Sequence, residues 1–126
     1  MVTGELEGFV VLVAGDDPAL TEVGGFLIGC GAFVAFVSQR RRLESAQVSF
    51  AADPADPAVW ERAVPHVEQR LGPIDGVVTD TSIAAVVEPY VADTFAQRHR
   101  GPVVQFAGDI AAALTQLRAT LRAEPN

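Results

Sequence analysis

Apolar runs with no polar residue at alternate positions constrain this chain more than any other feature. FVVLVA at 9–14 and AFVAFV at 32–37 are continuous, and VSF at 48–50, GVV at 76–78 and PVVQF at 102–106 are shorter and mostly apolar. A strand with one wet face alternates apolar with polar residues, whereas a strand covered on both faces does not. The runs therefore predict strands of a parallel sheet with helices on either side. Helical patterns fill the gaps between them.

From Leu20, apolar residues return at Val23, Leu27 and Cys30, on one helical face. Gly24 and Gly25 inside that helix cost up to ~1 kcal/mol each relative to Ala, which a close approach to the sheet or to a partner would justify. Asp56 is placed to cap the next helix, with Pro57 at its first position. Val64, Val67 and Leu71 continue its apolar face, and Gly72-Pro73 end it. Pro65 falls in the interior and predicts a kink. A helix over 82–100 is expected to break at Pro89, with Ile83, Val86, Val87, Tyr90 and Val91 facing inward. Asp109 should cap a last helix whose inner face is Ile110, Ala113, Leu114, Leu117 and Leu121. The order β-α-β-(short α)-β-α-β-α-β-α predicts an α/β fold in one domain, residues 1–126. Five parallel strands would form a doubly wound, three-layer sheet of order 3-2-1-4-5.

Charge and composition exclude several functions. The basic residues number 9 against 16 acidic ones, a net charge of −7. All nine basic residues are arginine, so this chain supplies no Schiff-base lysine, no P-loop lysine and no Tyr–Lys proton relay. The acidic balance argues against a nucleic-acid partner, whose phosphates need clustered positive charge. Cys30 is the only cysteine, which leaves no intrachain disulfide and no cysteine cluster for zinc. MVTGELEG at the start lacks the basic and apolar regions of a signal peptide. No apolar stretch of about 18 residues runs unbroken, so no membrane span is expected and a cytoplasmic protein is. His66 and His99 are expected at the surface, and neither has a Ser or Cys partner at triad spacing. Cys30, Trp60 and Tyr90 are expected to pack.

Three segments resemble the short-chain dehydrogenase/reductase family. LEGFVVLVAG at 6–15 resembles the lead-in, first strand and turn. LIGCGAFVAFVS at 27–38 resembles the end of the first helix and the second strand. FAADPADPAVWERAVPHVEQRLGPIDGVVTDTS at 50–82 is similar to the Asp-x-x-Asp turn, the third helix, the Gly-Pro-Ile-Asp lead-in and the strand that ends in Asn-Asn-Ala-Gly. The resemblance covers 6–82 and loosely 101–107, and it implies a Rossmann-like fold. It also implies cofactor contacts at Gly15 and at Asp53, which matches an adenine-contacting Asp. Ser38, Gln39 and Arg40 fall where the family selects its cofactor, and Arg40 or Arg41 would favour NADP through its 2′-phosphate.

The chain departs from that family at the positions that carry chemistry. The phosphate turn T-G-x-x-x-G-x-G is replaced by Ala14-Gly15-Asp16-Asp17-Pro18-Ala19-Leu20-Thr21. Such a turn needs bare backbone and free N–H groups aimed at pyrophosphate. Pro18 has no N–H, Ala19 and Thr21 add side chains, and Asp16 and Asp17 put negative charge beside an anion. Thr79-Asp80-Thr81-Ser82 stands in for Asn-Asn-Ala-Gly. The only Tyr, Tyr90, is followed at the fourth position by Thr94 rather than Lys. No catalytic residue and no cofactor are expected.

What remains is a set of carboxylates at the strand ends: Asp16 and Asp17 after strand one, Asp53 after strand three, Asp80 after strand four and Asp109 after strand five. Strands one and four are neighbours in the expected order, so Asp16, Asp17 and Asp80 are the candidate ligands of a Mg²⁺ ion. DDPAL at 16–20 also looks like the opening of phospho-receiver domains, but those need a lysine that is absent here. The bland alternative is that each Asp forms a turn or caps a helix. The leading expectation is a non-catalytic protein that acts as a homodimer or with a protein partner, through 82–100 and the terminal helix 109–123. A ligand- or metal-binding carboxylate module and an NADP-binding remnant are the alternatives.

Overall fold

The computed structural model describes residues 7–97, 104–106 and 110–122. Its elements run β1 (Val10–Ala14), α1 (Ala19–Gly29), β2 (Phe33–Ser38), β3 (Val48–Ala51), α2 (Pro57–Leu71), β4 (Gly76–Asp80), α3 (Thr81–Gln97), β5 (Val104–Phe106) and α4 (Ile110–Arg122). The body of the sheet is parallel with order β3-β2-β1-β4, and the three-residue β5 pairs alongside β4. β1 lies at the centre, with Ala14 opposite Val37 on one side and Thr79 on the other.

Alternation along β1 divides the core into two layers. Val10, Leu12 and Ala14 pack with Val59, Trp60 and Ala63 of α2 and with Ile83, Val87 and Val91 of α3. Val11 and Val13 pack with Leu20, Val23 and Leu27 of α1 and with Ala113, Leu114 and Leu117 of α4. All five residues of β1 are buried, which is the condition that permits an unbroken apolar run.

Local chemistry sets the element ends. The Asp56 carboxylate accepts from the Ala58 N–H at 3.0 Å and Pro57 opens α2, as the sequence predicts. Trp60 is fully buried, and its indole N–H donates to the Pro54 carbonyl at 2.8 Å. At the lower end of the sheet, Asp75 is buried and ties β1 to the start of β4. The Val10 N–H donates to its Oδ2 and its own N–H donates to the Val10 carbonyl, both at 2.8 Å.

Two expectations are corrected. α3 runs unbroken through Pro89, where a break was expected, and α2 likewise continues through Pro65. A helical proline frees the carbonyl four residues before it. Here those carbonyls belong to Glu61 and Ala85, both exposed residues, so water can satisfy them. No helix forms between β2 and β3. Residues 39–47 instead form a short crossover pinned at two points. Leu43 packs beside Gly24, and the Gln47 side chain accepts from the Val34 N–H at 2.8 Å. The expected cap Asp109 and His99 lie outside the described residues, as do 98–100 of the expected 82–100 helix.

Candidate functional site

In a parallel doubly wound sheet, the carboxyl ends of the strands and the first turn make the natural binding crevice. Here that turn begins at Gly15, which is buried with φ +141°. Its N–H donates to the Val37 carbonyl at 3.0 Å, which locks the end of β1 to β2. A Cβ on Gly15 would collide with the Asp80 carboxylate and would come within 2.5 Å of Leu20 Cδ1. The space directly over the turn is therefore filled by the protein's own side chains.

Asp80 reaches this position because it shares a sheet face with Val78, the face that α1 covers. The backbone amides of Asp16 and Asp17 act on its carboxylate and favour its charged form. These are the groups that would otherwise face a phosphate. Burial pushes the Asp80 carboxyl above the usual carboxylate value, and repulsion from Asp17 and Asp16 adds to this against the pull of the two amides.

Asp16 turns the other way. Its Oδ1 accepts from the Ser38 hydroxyl at 2.6 Å, the Gln39 N–H at 2.9 Å and the Arg40 N–H at 3.0 Å. Burial raises its pKa, but these three donors and the Arg40 charge together hold it below the usual range. The Asp16 carbonyl also accepts from Arg41 Nε at 3.4 Å. Asp17 stabilises the turn into α1 from one residue ahead of the N-cap position Pro18: its Oδ1 accepts from the Ala19 N–H at 2.9 Å.

The structure thus brings Gly15, Asp16, Asp17 and Asp80 together, with Arg40 and Arg41 at the margin. Arg40 is exposed. Asp53 stands apart in an exposed turn after β3, where its Oδ1 accepts from the Ala55 N–H at 2.9 Å. Among the described residues, no group of three or more His, Cys, Asp or Glu side chains is placed to hold a metal ion. Cys30 is buried and in no disulfide, and Tyr90 is partly buried against the α2–α3 layer. His66 is exposed and meets Phe50 edge to face at 5.4 Å.

Two buried polar groups escaped the sequence reading. Asp75 is one, and its signal was the Gly-Pro-Ile-Asp lead-in, which reads as a motif without revealing a backbone clamp. The other is Thr79, fully buried, whose Oγ1 has no hydrogen-bond partner among the described residues.

The fold is the Rossmann-like fold of short-chain dehydrogenase/reductases. A short-chain dehydrogenase/reductase from Serratia marcescens superposes with a TM-score of 0.61 at 19% identity, over 71% of this chain and 52% of that one. A doubly substituted variant from the same organism gives 0.60 at 20% identity over 93% of this chain and 68% of that one. The 3-ketoacyl-(acyl-carrier-protein) reductase from Brucella melitensis, complexed with NADH, gives 0.52 at 18% identity over 71% and 50%. At these identities the likeness concerns the fold. This chain spans about half the length of several of these structures. No protein-family model and no curated protein matches the chain. Among the described residues, no helix is long and apolar enough to cross a membrane.

Proposed function

We propose that this chain is a non-catalytic relative of the short-chain dehydrogenase/reductases that works in the cytoplasm by association, as a homodimer or with a protein partner. In this reading β5 completes a five-stranded doubly wound sheet, and α3 and α4 offer the outer surfaces for pairing. One observation carries the proposal: Asp80 and Leu20 cover Gly15, and the backbone amides of Asp16 and Asp17 already act on the Asp80 carboxylate. A pyrophosphate would have to displace an anion that the fold supplies itself. The departures at Tyr90 and in the glycine turn point the same way.

A second reading rests on the raised proton affinity of Asp80 beside Asp17. Such a pair can take up a proton or share a divalent cation. It predicts that millimolar Mg²⁺ raises the melting temperature and that Asp80→Asn abolishes the effect.

Size-exclusion chromatography with light scattering tests the first proposal. A dimer mass, or a stoichiometric co-purifying protein, is the expected result. A monomer that carries no partner at any accessible concentration would contradict it.

A further inference from the structure

Parallel strands are normally covered on both faces, because the crossover that joins them brings a helix with it. β2 and β3 break this pattern. They are parallel neighbours joined by residues 39–47, which contain no helix. One face of β3 is covered: Val48 and Phe50 belong to the α2 side of the core. The other face carries Ser49 and Ala51, both exposed. A cavity of about 400 Å³ lies over them, walled by Arg41, Arg42, Leu43 and Ala46, with Glu44 also on its lining.

The charge at this opening is unlike that of the whole chain. Arg40-Arg41-Arg42 is the only run of basic residues in a protein of net charge −7. The three are not equally engaged. Arg40 acts on Asp16, and Arg41 Nε lies 3.4 Å from the Asp16 carbonyl. Arg42 is exposed and has no hydrogen-bond or ion-pair partner among the described residues. The small floor residues Ser49 and Ala51 permit a close approach, and Leu43 and Ala46 give the wall apolar surface.

From this juxtaposition we infer that the bare face of β3 docks an acidic amphipathic helix from a partner protein, which supplies in trans the cover that the crossover omits. The apolar side of that helix lies on Ser49, Ala51, Leu43 and Ala46, and its carboxylates meet Arg41 and Arg42. Acidic rather than basic chemistry follows from the two guanidinium groups at the rim. A helix rather than a strand follows from the geometry of parallel sheets, whose faces are covered by helices. The inference deepens the association reading and rests on it.

The test uses a fluorescent 18-residue peptide with a leucine stripe and a glutamate face, and the same peptide with glutamine for glutamate. The glutamate peptide should bind the native chain saturably, gain helicity on binding, and weaken as salt rises. The glutamine peptide should bind at least tenfold more weakly. Arg42→Glu, which breaks no bond among the described residues, should lower affinity for the glutamate peptide at least tenfold. Ser49→Trp, which fills the floor, should do the same by another route, with circular dichroism confirming that both variants fold. Equal binding of the two peptides, no binding of either, or unchanged affinity in both variants would overturn the assignment. If Arg42→Glu turns a native dimer into a monomer, the groove belongs to a second copy, and the acidic-helix assignment fails while the association reading survives. A dimer or complex that both variants leave intact, with no peptide bound, likewise refutes this surface alone.

Discussion

Replacing Gly15 by alanine probes how tightly the first turn is filled. Two costs add. The φ of +141° suits glycine, and holding alanine in such a region costs roughly 1–3 kcal/mol. The new methyl would also press on the Asp80 carboxylate and on Leu20 Cδ1, and overpacking of a closed site costs about 1–3 kcal/mol. The sum, ~2–6 kcal/mol, is a large share of the roughly 5–15 kcal/mol that holds a domain together. Urea unfolding followed by far-ultraviolet circular dichroism at pH 7 would read it directly, and a melting temperature should fall by about 4 °C per kcal/mol. A double-mutant cycle with Asp80→Ala separates the two costs. Removing the carboxylate relieves its part of the clash but leaves the contact with Leu20 and the backbone strain, so the pair should couple by ~1 kcal/mol or more. A Gly15→Ala cost below ~1 kcal/mol, or additivity within ~0.3 kcal/mol, would refute the filled turn.

Three further outcomes are expected. Thr79→Val replaces a buried, unpartnered hydroxyl with a group of similar shape and should raise stability by ~1 kcal/mol in urea titration; a loss of stability would mean the hydroxyl has a partner. The raised pKa of Asp80 means that its contribution to stability is complete below the ordinary value of 3.8 and is lost as pH rises through the folded value, whereas Asp16, held low, contributes above 3.8 and loses that contribution as pH falls through its folded value. Asp80→Asn should therefore raise the melting temperature at pH 7 but not at pH 3, and Asp16→Asn should lower it at pH 7 with a penalty that fades in acid; the opposite pattern in either would overturn the assigned environments. Trp60→Phe strands the Pro54 carbonyl and should cost about 2 kcal/mol in the same urea assay, and a neutral effect would show that the indole bond contributes nothing.

The strand ladder was legible because burial on both faces leaves a composition that few other structures produce. FVVLVA and AFVAFV mark β1 and β2 to within a residue. Asp56-Pro57 is a local signal and marked the start of α2 equally well. Pro89 misled because the local rule weighs the lost hydrogen bond without knowing that Ala85 is exposed. The missing helix between β2 and β3 was hidden for the converse reason: a long-range contact, Leu43 beside Gly24, holds the crossover short.

The site was half legible. Adjacency of the first and fourth strands brought Asp80 to Asp16 and Asp17, as the spacing suggested. What spacing does not show is which donors each carboxylate finds. Asp16 meets Ser38, Gln39 and Arg40 across twenty-odd residues of chain. Asp80 turns onto the backbone of the first turn. The shared face of Val78 and Asp80 was the available signal, since alternation alone puts that carboxylate on the α1 side. Its role as an internal anion needed the geometry of the turn as well.

Titration of the native chain with NADPH and NADH to about 1 mM, followed by nicotinamide fluorescence, tests the self-filled turn most directly. The filled turn predicts no saturable change with either nucleotide. Saturable binding of either one to the native chain, with Asp80 in place, would contradict it.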